Sequence, residues 1–238
     1  RALNIPDKCV CYIDDIVIPV AWSTIDERNQ MLYLATKIDD VITTTTVTFD
    51  SGNYTGVSFA AECERKVNAA LLDRQLSLAV SYDIMNNKLQ MVLSDDRTMV
   101  IGAAEVAILA DENIINTANP RSLNGVLMMS VTANLTVGSS FSTYLELHTT
   151  RNLYLTSSSL GSYNTVSNFG YDTIIKKIPV RFNYNEMLFD GAESGYDYLD
   201  VSKRSLRRIG FRLQDVFGNL INLNDNHWSF SLIFQLLD

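Results

Sequence analysis

Apolar and polar residues alternate most cleanly at the end of the chain, where Trp228, Phe230, Leu232, Phe234 and Leu236 are interleaved with Ser229, Ser231 and Gln235. A period of two puts one face of a strand on a core and the other in water. Five large apolar side chains on one face require a second layer to cover them, either the other sheet of a β-sandwich or an equivalent surface of another subunit. The same period recurs just before, with Ile209, Phe211 and Leu213 set against Gly210, Arg212 and Gln214. Between the two, residues 215–219 (D-V-F-G-N) read as a turn in which Gly218 or Asn219 takes positive φ.

Earlier in the chain, residues 2–8 read as an extended arm and residues 9–20 (CVCYIDDIVIPV) as one or two strands interrupted at Asp14 and Asp15. Residues 29–38 and the β-branched run 43–49 are further strands. The pattern then changes. Between residues 57 and 72, Phe59, Cys63, Val67, Ala70 and Leu71 share one helical face, while Glu62, Glu64, Arg65, Lys66 and Asn68 lie mostly on the other. Thr55 or Ser58 can cap the start of this helix. Residues 76–82 and 88–93, joined by an Asn-rich loop, predict a hairpin. Further on, the pattern predicts a short strand at 99–101, a second short helix at 103–109 (AAEVAIL) and a loop within 113–125. Strands are expected at 126–135, 142–148, 152–156, 173–180 and 187–189. Residues 157–170 and 190–200 form two long polar loops of the kind that carries contacts. No repeat, coiled coil or linker divides the chain. The expectation is therefore one mainly-β domain over residues 1–238, with a short N-terminal arm (1–8) and one prominent amphipathic helix (57–72).

A chain of 238 residues buries roughly 70–75% of its unfolded surface and needs no disulfides to hold a core. No apolar run approaches the ~20 residues of a membrane-spanning helix. The start shows no signal-peptide pattern, and Arg at position 1 leaves the true N-terminus open. The three cysteines, Cys9, Cys11 and Cys63, are an odd set with a C-x-C pair. That is a poor disulfide framework, and it points to reduced thiols and folding in a reducing cell interior. Two N-x-T sequons, at Asn53 and Asn134, read as chance in a Thr- and Asn-rich chain.

The net charge of −8 is uneven: residues 1–120 hold 17 acids and 9 bases, and residues 121–238 hold ten of each. An acidic first half argues against wrapping nucleic acid with that half. The second half contains one basic cluster, Lys203, Arg204, Arg207, Arg208 and Arg212. It reads either as the solvated start of a strand or as an electrostatic contact with an acidic neighbour, such as the acidic half of an adjacent copy.

Candidate chemistry changes little. His148 and His227 are far apart in sequence, and neither has ligand-spaced cysteines or carboxylates beside it; Cys9-x-Cys11 is shorter than the usual zinc knuckle. Nucleophile-elbow, Walker and dinucleotide motifs do not occur. Ser157, Ser158 and Ser159 fit an ordinary inter-strand loop. Asp190, Glu193, Asp197 and Asp200 lack the spacing of a calcium loop and read as a solvated acidic loop. The residues predict no enzyme, no cofactor and no metal.

Two stretches carry a resemblance. One is residues 47–93, with a strand, G-N-Y-T, the helix and S-Y-D-x-x-x-N-K-L. The other is the ending, L-D-V-S-K-R-S-L-R-R-I-G-F-R-L-Q-D-V-F-G-N-L-I-N-L-N-D-N-H-W-S-F-S-L-I-F. Residues 153–157 and 174–180 follow the same order between them. Over about two-thirds of its length the chain resembles virion structural proteins of the Polinton/adintovirus type of eukaryotic double-stranded DNA viruses. In these, a single jelly-roll, penton-like minor capsid protein accompanies a larger double jelly-roll major capsid protein. The resemblance implies a jelly-roll-like sandwich, with the helix as an insertion or as part of a different β-rich virion domain. It also implies a place in the virion, a homo-oligomer (pentamer favoured over trimer) and contacts with other capsid proteins. A direct nucleic-acid contact is not expected. The basic cluster becomes the candidate assembly interface. The rival is a receptor- or glycan-binding module (a spike or fibre head) using the loops at 157–171 and 190–200.

Overall fold

The computed structural model describes residues 2–97, 103–110, 122–160, 174–192 and 198–237. Contacts within the chain gather into two compact units, residues 1–22 with 150–238 and residues 23–149. Each has its own apolar core.

The first unit begins with β1 (Leu3–Asn4) and β2 (Cys9–Pro19). The expected arm is tied down: Leu3 pairs with Leu206, Asn4 pairs with Ser205, and Ile5 is buried. β2 runs unbroken through Asp14 and Asp15. Its buried positions switch from Cys9, Cys11 and Ile13 to Ile16 and Ile18, a change of parity that marks a bulge rather than an end.

The second unit opens with the hairpin β3 (Met31–Ile38) and β4 (Val41–Thr48). Its helix α1 (Gly56–Leu71) starts one residue earlier than the pattern suggests. Thr55 caps it: the Thr55 side chain accepts the Ser58 N–H, and the Ser58 hydroxyl takes the Thr55 N–H, which satisfies two otherwise open donors. Phe59, Cys63, Val67 and Leu71 are buried on one face as expected. Gly56 is required by close approach, because a Cβ there would collide with the ring of Tyr82. A second hairpin follows, β5 (Leu76–Asp83) and β6 (Lys88–Asp95), and then β7 (Ala104–Ile108), β8 (Ala133–Thr136) and β9 (Ser140–Tyr144). The sheets run β4-β3-β7-β8 and β5-β6-β9.

Three expectations fail in this unit. The short helix at 103–109 is instead the strand β7. Ala104, Val106 and Ile108 alternate into the core between β3 and β8, so tertiary pairing overrides the helix-forming composition. The strand expected over 126–135 is confined to β8. A 3₁₀ turn at Leu123–Gly125 precedes it, and Val126 and Leu127 are buried from turn conformations. The strand expected at 142–148 starts at Ser140 and ends at Tyr144. The short strand at 99–101, and the loop as far as residue 121, lie outside the described residues.

The chain then returns to the first unit with β10 (Asn152–Thr156), β11 (Ile174–Pro179), β12 (Met187–Gly191), β13 (Leu199–Asp200), β14 (Ser205–Leu206), β15 (Arg212–Gln214) and β16 (Ser229–Leu236). One sheet has the order β11-β10-β15. The other is built on β2, with β12, β13 and β16 paired to it. Leu153, Leu155, Ile178 and Leu213 from the first sheet share a core with the inward residues of β2, which makes a sandwich. The strand expected at 209–213 contracts to β15, while Ile209 and Phe211 stay half-buried against the core. Every ladder between these named strands is antiparallel. The chain is mainly β with one α-helix, and no helix among the described residues is long and apolar enough to cross a membrane.

Candidate assembly interface

The five basic residues of residues 203–212 do not form one patch of equals. Lys203 sits in the turn after β13 with a positive φ of 60°, and its ammonium lies 3.2 Å from Asp7. Its N–H reaches Pro6 O, and Arg204 O accepts the Ile5 N–H at 2.9 Å. These two residues hold the N-terminal segment in place. Arg204 is half-buried, and its charge is felt by Cys11 and Asp200. Burial pushes the Cys11 thiol up to about 11 against the opposing pull of Arg204, with Cys9 adding to the rise. Hydrogen bonding from Ser202, helped by Arg204, holds the Asp200 carboxyl below its ordinary value.

Arg207, Arg208 and Arg212 are different. All three are exposed. Arg212 alternates with buried Leu213 on β15, so it stands on the outer face of the β11-β10-β15 sheet. Among the described residues, none of the three guanidinium groups has an ion pair or hydrogen-bond partner. The solvated reading fits these three, and so does a contact with another molecule; Lys203 and Arg204 instead anchor the N-terminal segment.

The terminal strand matches its sequence pattern only in part. Trp228, Phe230, Leu232 and Phe234 pack against the core, with Trp228 stacked on Phe230 at 5.2 Å and Phe211 edge-on to Phe230 at 4.7 Å. Leu236, the fifth, is 62% exposed. Ladder register shifts between Phe230 and Leu232, opposite the bulge at Asp14 and Asp15.

Two features escaped sequence reasoning. Lys176 is only 4% exposed, lies 3.1 Å from Asp190 and donates to Gly191 O at 2.7 Å. Asp190 thus belongs to β12 and a buried ion pair rather than to a solvated loop. Glu193 and Asp197 lie outside the described residues, and Asp200 accepts the Ser202 N–H. The second feature is an apolar outer face on the β2 sheet, where Phe189 and Met187 pair with Val17 and Pro19. All three thiols are free and buried, and burial pushes Cys63 up to about 12. His148 is exposed, with its ring 3.8 Å from Glu146, and His227 is exposed as well. No group of three metal-ligating side chains occurs among the described residues.

The fold has a counterpart. The crystal structure of mavirus penton protein superposes with a TM-score of 0.56 over 100% of this chain and 91% of that chain, at 11% sequence identity. At that identity the likeness is one of fold, and it agrees with the jelly-roll-like, mainly-β architecture expected from the sequence. No family model and no curated protein matches the sequence.

Proposed function

We propose that this chain is a penton-like structural subunit of a viral capsid. It assembles with copies of itself, five-fold in preference to three-fold, and contacts a major capsid protein. The observation that carries the reading is the end-to-end likeness to mavirus penton protein. The free basic side chains of Arg207, Arg208 and Arg212 support it, as groups suited to a neighbour. On this reading the chain is not an enzyme. It folds in the reducing interior of an infected cell, which suits its three buried free thiols, and it ends in the virion of a double-stranded DNA virus. Shell stability follows from closed symmetry and from the multiplicity of individually modest interfaces.

Native mass spectrometry of the full chain, alone and co-expressed with its major capsid protein, tests this. A pentameric ring that joins the major capsid protein is the expected result. A chain that stays monomeric at high concentration and low salt with that partner present overturns it. A monomer or trimer that binds glycan would instead mark a receptor-binding head.

A further inference from the structure

The outer face of the β2 sheet offers what the basic cluster lacks. Inward residues Ile16 and Ile18 are fully buried, so Asp15, Val17 and Pro19 point the other way. Across the β12 ladder these face Gly191, Phe189 and Met187. Phe189 is 65% exposed and Met187 44%. Gly191 has no side chain to cover Asp15. Asp14 and Asp15 stand exposed at the bulge, and among the described residues neither carboxylate has a hydrogen-bond or ion-pair partner. Along β2, Asp15 and Val17 are two residues apart, roughly 7 Å, so the carboxylates and the Phe189 ring fall within one small patch. An exposed apolar patch rimmed by polar groups is the pattern of an interaction site.

We infer that the exposed Arg207, Arg208 and Arg212 of one copy dock on the Asp14, Asp15 and Phe189 face of the next. The partner is a second copy because the chemistry matches within the chain. Guanidinium groups pair bidentately with carboxylates and stack on aromatic rings, and both are present on the receiving face. A single chain does not satisfy the match itself. Arg212 lies on the outside of the β11-β10-β15 sheet, and the receiving face lies on the outside of the other sheet, with the shared core between them. A contact between two different surfaces is head-to-tail, the type that closes into a ring when its rotation divides a full turn. This inference rests on the assembly reading above and names the surfaces that carry it.

Reversal and restoration of charge test it in the full chain by sedimentation at fixed ionic strength. Arg207→Glu with Arg208→Glu, and separately Asp14→Arg with Asp15→Arg, should each weaken association about tenfold or more while melting temperature holds. All four changes in one chain should recover assembly. Phe189→Ser should weaken it at every salt concentration. If the wild type never assembles, the capsid reading itself fails. If it assembles and either reversed chain assembles equally well, the docking assignment is overturned while the capsid reading stands. If both reversals break assembly and the combined chain does not recover, the arginines and the acidic face meet other partners, and the pairing is likewise wrong.

Discussion

The two units protect the edges of their sheets in different ways. In the second unit, edge strand β5 is covered by side chains of α1. The Asn68 carboxamide accepts the Leu78 N–H at 2.6 Å and donates to Leu78 O at 3.1 Å, and Glu64 accepts the Val80 N–H at 2.8 Å. A helix thus stands in for a missing strand, which disarms an edge that would otherwise invite pairing. In the first unit, β16 pairs along β2 and, among the described residues, has no ladder on its other side. Charge divides in the same way. Residues 23–149 hold 15 acids and 8 bases, while the first unit holds 12 and 11 and contains the free arginines. The second unit is built from local hairpins and a continuous stretch of chain. The first needs both chain ends, since β2 pairs with β16. The covered sheet edge and the uncovered one thus fall in different units.

The largest expected effect breaks the second unit. Val67 is fully buried on α1, so Val67→Asp places an unpaired charge in that core and should cost about 4 kcal/mol or leave the chain insoluble. A soluble variant with unaltered melting would remove the helix from the core. The first unit has its own equivalent. Lys176→Met leaves Asp190 without its buried partner, at about 3 kcal/mol, whereas Lys176→Met with Asp190→Leu should recover much of the loss. Chemical denaturation of the single and double variants distinguishes a lost ion pair from lost packing. Smaller still is Asn68→Ala, which opens both backbone groups of Leu78 and should cost about 1–2 kcal/mol. Concentration-dependent aggregation of this variant would show that the helix guards the edge as well as stabilising it.

Sequence periodicity located β3 to β6, α1, β10 to β12 and β16 because each has enough residues for its period to stand out. β7 escaped because the Ala, Glu and Leu residues of A-A-E-V-A-I-L favour a helix and outweigh Val106 and Ile108, and only pairing with β3 and β8 reveals its alternation. The apolar run at 126–135 misled because burial of Val126 and Leu127 from a turn has the same composition as a strand. Of the candidate site, the positive charges were legible and their partners were not: Asp7 is close to Lys203 only through β1 and β14. Lys176 was hidden by a bulge. The β10–β11 register shifts at Leu155/Thr156, which lets Ile175 and Lys176 both face inward, and no charge pattern in I-I-K-K-I-P announces that.

The smallest effect sharpens the comparison by pH. Burial raises Cys63 in the second unit from 9.0 to about 12, and Cys11 in the first to about 11. A raised folded value means that the native state keeps protons the unfolded chain sheds. The stabilisation is therefore whole below pH 9 and declines as pH climbs through the folded values. At pH 10, one unit above the unfolded value, Cys63 should account for about 1 kcal/mol of lost stability. Cys63→Ala removes that slope but also a buried sulfur, so the reading is the difference in pH dependence between variant and wild type, not the absolute stability. The same burial should leave all three thiols unreactive toward a maleimide at pH 8 in the native protein and should reveal three on denaturation without reductant. A wild type and a Cys63→Ala variant with parallel stability curves from pH 8 to 10 would show that Cys63 ionises as readily folded as unfolded, and that the α1 face is wetter than its packing implies.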